Sequence, residues 1–258
     1  MPATIAAIAA RLGADARRFD IDILPSCDST NAVMLGRAEA GAPSGTVLIA
    51  TEQTAGRGRR GRGWIASPGD SLTFSLLWRF APGTAPAGLS LAVGVAVVRA
   101  LEKSGAAGAA LKWPNDILMG GRKLGGILVE LVPGAAHAAV IGIGLNLHLP
   151  AAMPDDLRAV SAALCAPDAA ADEDALYGAL LRELLAVLES FATGGFAAIL
   201  PQWTARHAFQ DAAVNLLSDF APPRAGICRG ADHDGALLLE TDGRIERVLS
   251  GEVSLRAA

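Results

Sequence analysis

Residues 45–80 read GTVLIATEQTAGRGRRGRGWIASPGDSLTFSLLWRF. Both ends of this stretch are runs rich in β-branched, aliphatic and aromatic residues bounded by turn formers, the pattern of sheet strands. Between them lies GRGRRGRGW at 56–64, where four arginines and four glycines fill eight positions before a tryptophan closes the run. In a tail, such a run would point to a nucleic-acid backbone, which charge and open backbone bind without reading sequence. Here it is an excursion between two strands, and that placement favours a loop at a site.

The rest of the chain narrows the choice. Its 258 residues carry 26 acidic and 22 basic side chains, a net charge of −4, and 52% are hydrophobic. This is enough apolar content for one large core with a small appendage, whereas a dedicated nucleic-acid binder shows a basic excess over a whole domain. The basic charge is local. Lysine stands only at Lys103, Lys112 and Lys123, which hints at work that a compact ammonium does better than a planar guanidinium. Cys27, Cys165 and Cys228 show no CxxC pairing, the pattern of a reduced, cytoplasmic protein. His137, His148, His207 and His233 have no metal-ligand spacing. The N-terminus lacks a basic n-region and reads as a short amphipathic helix with Ile5, Ile8 and Leu12 on one face. The most apolar later run, AAVIGIGLNLHLP, is broken by Gly142, Gly144, Asn146 and Pro150, so no membrane span is expected.

Outward from the opening stretch, FDIDILPS (19–26) alternates like a strand, and DSTNAVMLGRAEAG (28–41) reads as a helix capped by Asp or Ser and stopped by Gly41. Residues 85–105 form a long apolar helix. In 109–132, AALKWPNDILMGGRKLGGILVELV, a strand turns at Pro114-Asn115 and a tight Gly120-Gly121 hairpin joins two more. HAAVIGIGLNLHL (137–149) is a further strand, AAMPDDLRAV (151–160) a surface loop, and 155–208 mostly helical. From 212 onward AAVNLL, RAGICRGAD, ALLLETD and RIERVLSGEVSLR read as short strands of a small β-barrel. The division expected is 1–211 and 212–258.

Four stretches exceed generic sheet and helix. DSTN (28–31) by itself reads as a helix cap. GIGLNL (142–147) opens no helix, so it is no dinucleotide fingerprint; its glycines admit a ligand or a neighbouring backbone close to a strand. KWPNDI (112–117) is either an ordinary turn with a packed tryptophan or a site in which Asp116 serves as metal ligand or base and Asn115 meets phosphate or metal-bound water. KLGGILVE (123–130) sets Lys123 at a strand start with Gly125 and Gly126 clearing space beside it, suited to holding a carboxylate and developing phosphoryl charge.

In this order the four stretches, with SGEVSLR near the end, resemble the biotin protein ligases over nearly the whole chain. The resemblance implies an α+β protein: a mixed-sheet catalytic domain like the class II aminoacyl-tRNA synthetase and biotin synthetase fold, followed by an SH3-like barrel. It also implies ATP- and magnesium-dependent activation of biotin as biotinyl-5′-AMP, then transfer to a lysine of a biotin carboxyl carrier protein. Ser29, Thr30, Asn31 and Gln53 would serve biotin, the first two and Gln53 at its ureido ring. Gly56, Arg57, Gly58, Arg59, Lys123, Gly125 and Gly126 would complete that site, the arginine-glycine loop closing over the ligand. Arg59, Arg60, Arg62, Trp64, Lys112, Asn115, Asp116, Lys123, Asn146 and Arg256 would serve ATP. Lys123, Arg57, Arg59 and Asp116 would be catalytic, with Asp116 near the nucleotide's magnesium. The family includes repressors with an N-terminal DNA-binding domain. Because DSTN already arrives at residue 28, the expectation is a ligase without specific DNA binding, and a homodimer stays open. The alternative enzyme is a lipoate or octanoate ligase or transferase of the same fold. Ala231 stands where the family more often has isoleucine, which bears on barrel packing.

Overall fold

The computed structural model describes residues 3–151, 153–218, 222–251 and 253–257. Seven strands form one mixed sheet: β1 (Asp20–Cys27), β2 (Thr46–Gln53), β3 (Ser71–Arg79), β4 (Ala109–Lys112), β5 (Asp116–Met119), β6 (Arg122–Val132) and β7 (Ala135–Asn146). Their order is β1-β2-β3-β7-β6-β5-β4; β1 and β2 are parallel and the other neighbours antiparallel. Gly120 and Gly121, both at positive φ (56° and 75°), make the turn between β5 and β6 that most residues would resist.

Two helical layers cover the sheet, and strand alternation assigns a residue to each. On one face lie α1 (Ile5–Leu12), α3 (Leu89–Lys103) and α5 (Glu173–Gly194), packed over Val47, Ile49, Leu72, Phe74, Leu76, Ile141 and Ile143. On the other lies α2 (Thr30–Glu39), whose Met34 and Ala38 meet Leu48, Leu77, Ala138 and Val140. Helix α1 buries Ile8 and Leu12, spaced four apart, while Ile5 stays 47% exposed, so the expected three-residue face is a two-residue one.

Residues 155–208 are less continuously helical than their composition suggests. Helix α4 (Asp155–Val160) is separated from α5 by an irregular segment in which Ser161 bridges Lys123, and α5 from α6 (Leu200–Thr204) by a short 3-10 turn at Phe196–Ala198. The expected surface loop at 151–160 thus contains α4, with Leu157 and Val160 exposed. Five strands follow: β8 (Ala213–Ser218), β9 (Arg224–Ala231), β10 (Leu237–Thr241), β11 (Arg244–Val248) and β12 (Val253–Ala257), ordered β11-β10-β9-β8-β12. RIERVLSGEVSLR is therefore two strands, broken around Ser250 and Gly251, and β12 returns to pair with β8. Among the described residues β11 and β12 do not pair, so the SH3-like sheet is not closed into a barrel. No helix among them is long and apolar enough to cross a membrane.

Candidate active site

The site grows from the alternation that builds the core. On β3 and β7 the positions facing α2 begin apolar, with Leu77 opposite Val140, and then turn polar or bare: Ser75 opposite Gly142, Thr73 opposite Gly144, Ser71 opposite Asn146. The next strand adds Leu128 beside Gly142 and Gly126 beside Gly144. The side chains that would extend α2's core are missing here, and a cavity of about 810 Å³ opens over this floor.

The glycines of GIGLNL explain much of its shape. A Cβ on Gly142 would lie 2.2 Å from Asn31 Oδ1, and one on Gly144 2.5 Å from Trp64 Cε2. The expectation of a ligand or backbone against this strand is corrected: the space is taken by two side chains. Gly125 does admit backbone, since its Cβ would meet Gly144 O at 2.5 Å.

At one end of the cavity the polar groups are neutral. Gln53 Oε1 accepts from Thr30 N at 2.7 Å and from Thr30 Oγ1 at 3.1 Å. Ser75 Oγ lies 2.8 Å from Thr30 Oγ1 and 2.6 Å from Asn31 Oδ1, and the Asn31 amide donates to Leu128 O at 3.2 Å and to Glu130 Oε2 at 2.8 Å. Ser29 occupies the N-cap position of α2, where the capping reading of DSTN puts it, but makes no side-chain cap bond; Asp28 Oδ1 instead accepts from Ser29 N. Ser75, Thr73 and Glu130 were not singled out from sequence. Ser75 and Thr73 are polar positions on the α2-facing side of a strand whose next such residue is Leu77, and that alternation was the available signal.

At the other end the groups are charged. Asp116 pairs with Lys112 and Lys123, each at 2.7 Å, and Lys112 is only 8% exposed. Burial alone would raise the Asp116 carboxyl, but the Lys123 and Lys112 ammoniums win and hold it below its ordinary value. Burial depresses Lys112 despite Asp116, with Arg256 and Lys123 pushing the same way, which places Arg256 in the field of this site. Lys123 lies over bare sheet, since a Cβ on Gly126 would sit 3.4 Å from its Nζ, and Nζ is 5.9 Å from the centre of the Trp64 ring. Trp113 is fully buried and donates Nε1 to Gly235 O at 3.0 Å, anchoring the C-terminal sheet; the KWPNDI turn is thus both packing and site.

The arginine-glycine loop is a hairpin: Trp64 N donates to Gly56 O at 2.8 Å and Gly58 N to Arg62 O at 2.7 Å. Gly56 is required there because a Cβ would lie 2.4 Å from Trp64 O. Arg59 reaches Asn115 Oδ1 at 3.3 Å and Gly251 O at 2.7 Å, and also donates to Ser250 O, so it ties the loop to both sheets. Burial lowers its pKa, partly offset by Asp116. Arg57 lies 3.7 Å from Glu130, and Arg60 and Arg62 line the cavity. Asn146 also lines it, with its amide donating to Ala162 O at 3.0 Å and to Lys123 O at 3.4 Å. Every expected site residue except Gly56 and Gly125 lines the cavity, and those two shape its wall.

A sheet that withholds side chains to make a cavity, closes it with a cationic hairpin and latches that hairpin to a C-terminal sheet is the arrangement of an acyl-activating ligase. The chain belongs to the Biotin/lipoate A/B protein ligase family, which it matches over residues 23–146, and residues 225–256 match the Biotin protein ligase C terminal domain. It is 41% identical over 241 residues to the bifunctional ligase/repressor BirA of Escherichia coli, covering 92% of this chain and 74% of that one. To the biotin--[acetyl-CoA-carboxylase] ligase of Mycobacterium tuberculosis it is 36% identical, covering 94% and 91%. The structure of Biotin protein ligase from Aquifex aeolicus in complex with biotin and ATP superposes with a TM-score of 0.79 at 28% identity, over 93% of this chain and 99% of that one.

Proposed function

We propose that this protein activates biotin with ATP to biotinyl-5′-AMP and transfers the biotinyl group to a lysine of a biotin carboxyl carrier protein. The observation that supports it most is the division of one cavity into a neutral hydrogen-bonding end and a cationic end. Biotin has the matching halves, a neutral ureido ring and a carboxylate. The ring falls to Ser29, Thr30 and Gln53, and the carboxylate to Lys123 and the arginines of the hairpin. Relatives named as biotin ligases over most of their length support this reading over a lipoate ligase.

The chemical problem is that two anions must meet: the carboxylate has to attack the α-phosphate with pyrophosphate leaving. Lys123, Lys112 and Arg59 hold three positive charges around one carboxylate, Asp116. That surplus is fixed before the ligands arrive, so it offsets their repulsion and stabilises the charge that builds on the phosphoryl oxygens. Asn115 and Arg256 border the same end and are assigned to the nucleotide. The hairpin excludes water from a hydrolysable acyl-adenylate, with Trp64 as its packed base. In the second half-reaction the carrier lysine attacks the acyl carbon, forming the amide and releasing AMP.

Among the described lining residues Asp116 is the one carboxylate, and both its oxygens are engaged by lysines. So sparse an anionic lining fits a magnesium ion that enters on ATP, and Asp116 would be the carboxylate to hold it. A magnesium ion held there would supply further neutralisation of phosphate charge. Its acidic balance and the folding of the arginine run into the cavity wall support a ligase role without specific DNA binding, and its three free cysteines support a reducing, cytoplasmic compartment.

ATP–pyrophosphate exchange with biotin, lipoate or octanoate as sole acyl substrate tests the reading. Exchange with biotin alone is expected; exchange with only lipoate or octanoate, or with none, would overturn it.

A further inference from the structure

Glu130 stands out of pattern. It faces α2 from β6, opposite Val140, in a row of the sheet completed by Leu77, and both neighbours belong to the apolar cluster under α2. Strand alternation calls for a hydrophobe there, and an acid that breaks the rule of its own strand needs a reason. Its two contacts supply one. Glu130 Oε2 accepts from Asn31 Nδ2 at 2.8 Å, and the Arg57 guanidinium lies 3.7 Å away.

Asn31 has no hydrogen-bonding capacity left for a ligand through its donors. One of its Nδ2 hydrogens goes to Leu128 O and the other to Glu130, while Oδ1 faces the Ser75 hydroxyl. It is 3% exposed and sits in the notch that Gly142 leaves. A continuous chain of polar contacts therefore runs Gln53, Thr30, Ser75, Asn31, Glu130, Arg57. It begins at the neutral end of the cavity and ends on the first arginine of the hairpin.

We propose that Glu130 is a positioning residue which couples the neutral end of the cavity to the arginine-glycine hairpin, holding Asn31 and Arg57 at once. Asn31 belongs to the same device as its joint. The assignment rests on the biotin-ligase reading for its consequence in catalysis, but not for its physical content, because the contacts exist without ligand. A ligand that settles against Thr30 and Gln53 then meets a hairpin whose first arginine is already aimed, and less ordering is left to the binding step.

The test uses Glu130→Gln, which keeps the shape and an acceptor for Asn31 and removes the charge facing Arg57, with Glu130→Ala as the harsher variant. In the ligand-free protein, amide hydrogen exchange of residues 56–64 should quicken on the order of threefold in Glu130→Gln, the range of a half-exposed ion pair. Wild-type exchange in this segment should also quicken more with added salt than the variant's, since only the wild type has the Glu130–Arg57 pair to screen. In ATP–pyrophosphate exchange the larger share of the loss should fall on the KM for biotin, and Glu130→Ala should lose more than Glu130→Gln. Loop exchange and salt response equal to wild type in both variants would overturn the coupling. Wild-type protein inert towards biotin, with the loop effect present, would instead overturn the function and leave the coupling standing.

Discussion

The two ends of the cavity solve opposite problems. At the neutral end, Thr30, Gln53, Ser75 and Asn31 set their polar atoms 2.6–3.1 Å from one another, so this end is preorganised by neutral contacts before a ligand arrives. At the charged end, two lysines share one aspartate and burial depresses the pKa of Lys112 and of Arg59. There the protein holds cations in surroundings that disfavour them, and an arriving anion relieves the penalty. The neutral end thus supplies shape and specificity, and the charged end supplies a driving force released only when phosphate or carboxylate enters.

The sharpest way to break this contrast is Lys123→Ala. Asp116 keeps Lys112, so the fold should be little affected, while adenylate formation should fall about 10³-fold, the scale of losing one fixed electrostatic contact to a transition state. Near-normal pyrophosphate exchange would remove Lys123 from the chemistry. Asp116→Asn should show the reverse balance. It leaves Lys112 buried without a counter-charge, at a stability cost of about 3 kcal/mol, whereas Lys123, 39% exposed, can turn to water. The sign with pH follows. Asp116 has its folded value held below the ordinary one, so its contribution is present above that ordinary value and is lost as pH falls through the folded one. The gap between wild type and Asp116→Asn in urea unfolding should therefore narrow in acid; a gap independent of pH would contradict the pairing.

The glycine floor sharpens the comparison from the neutral side. Gly142→Ala pushes a methyl against Asn31 Oδ1, whose side chain is held from three directions, and should cost about 2 kcal/mol with weaker biotin binding. Gly144→Ala meets the Trp64 ring instead, on a hairpin that can lift. Its stability cost should be smaller, with Trp64 fluorescence shifted towards that of an exposed indole. Equal unfolding costs for the two would show that Asn31 is no more fixed than the hairpin.

The charged end was legible in the sequence because its residues come in short strings: Lys112, Asn115 and Asp116 lie within one turn, and Lys123 follows across the Gly120-Gly121 hairpin. The arginine run announced itself by composition and by its place between two strands. The neutral end was only half legible. Thr30 and Gln53 stood in recognisable strings, but Ser75 and Glu130 join them only through sheet register, across separations of 45 and 99 residues from Thr30 and Asn31. No local spacing encodes that. The glycines of GIGLNL drew notice, yet what fills their space depends on Asn31 and Trp64, which arrive from elsewhere in the chain. The break in RIERVLSGEVSLR escaped for a similar reason, since β12 is drawn away by its pairing with β8.

The smallest expected effect comes from a group outside both ends that fixes the wall behind them. His148, just past β7, points Nδ1 at Gly69 O (3.1 Å) and Nε2 at Ala169 O (2.9 Å). Both partners are acceptors, so satisfying them together requires a proton on each nitrogen, and the imidazolium is favoured chiefly by the bond to Gly69 and then that to Ala169. A value raised in the folded state means the contribution is complete below the ordinary imidazole pKa and is lost as pH rises through the folded one. Gly69 lies in the segment that leads from the hairpin into β3, while Ala169 precedes α5, so the charged ring pins two connections against the strand that carries Gly142 and Gly144. Because the ring is largely solvated, the difference between wild type and His148→Ala should be only about 0.5 kcal/mol at about pH 5.5 and should shrink by about pH 8.5. A difference that grows with pH would mean that the neutral ring makes the bonds. The clamp would then be independent of charge, and electrostatics would belong to the cationic end of the cavity alone.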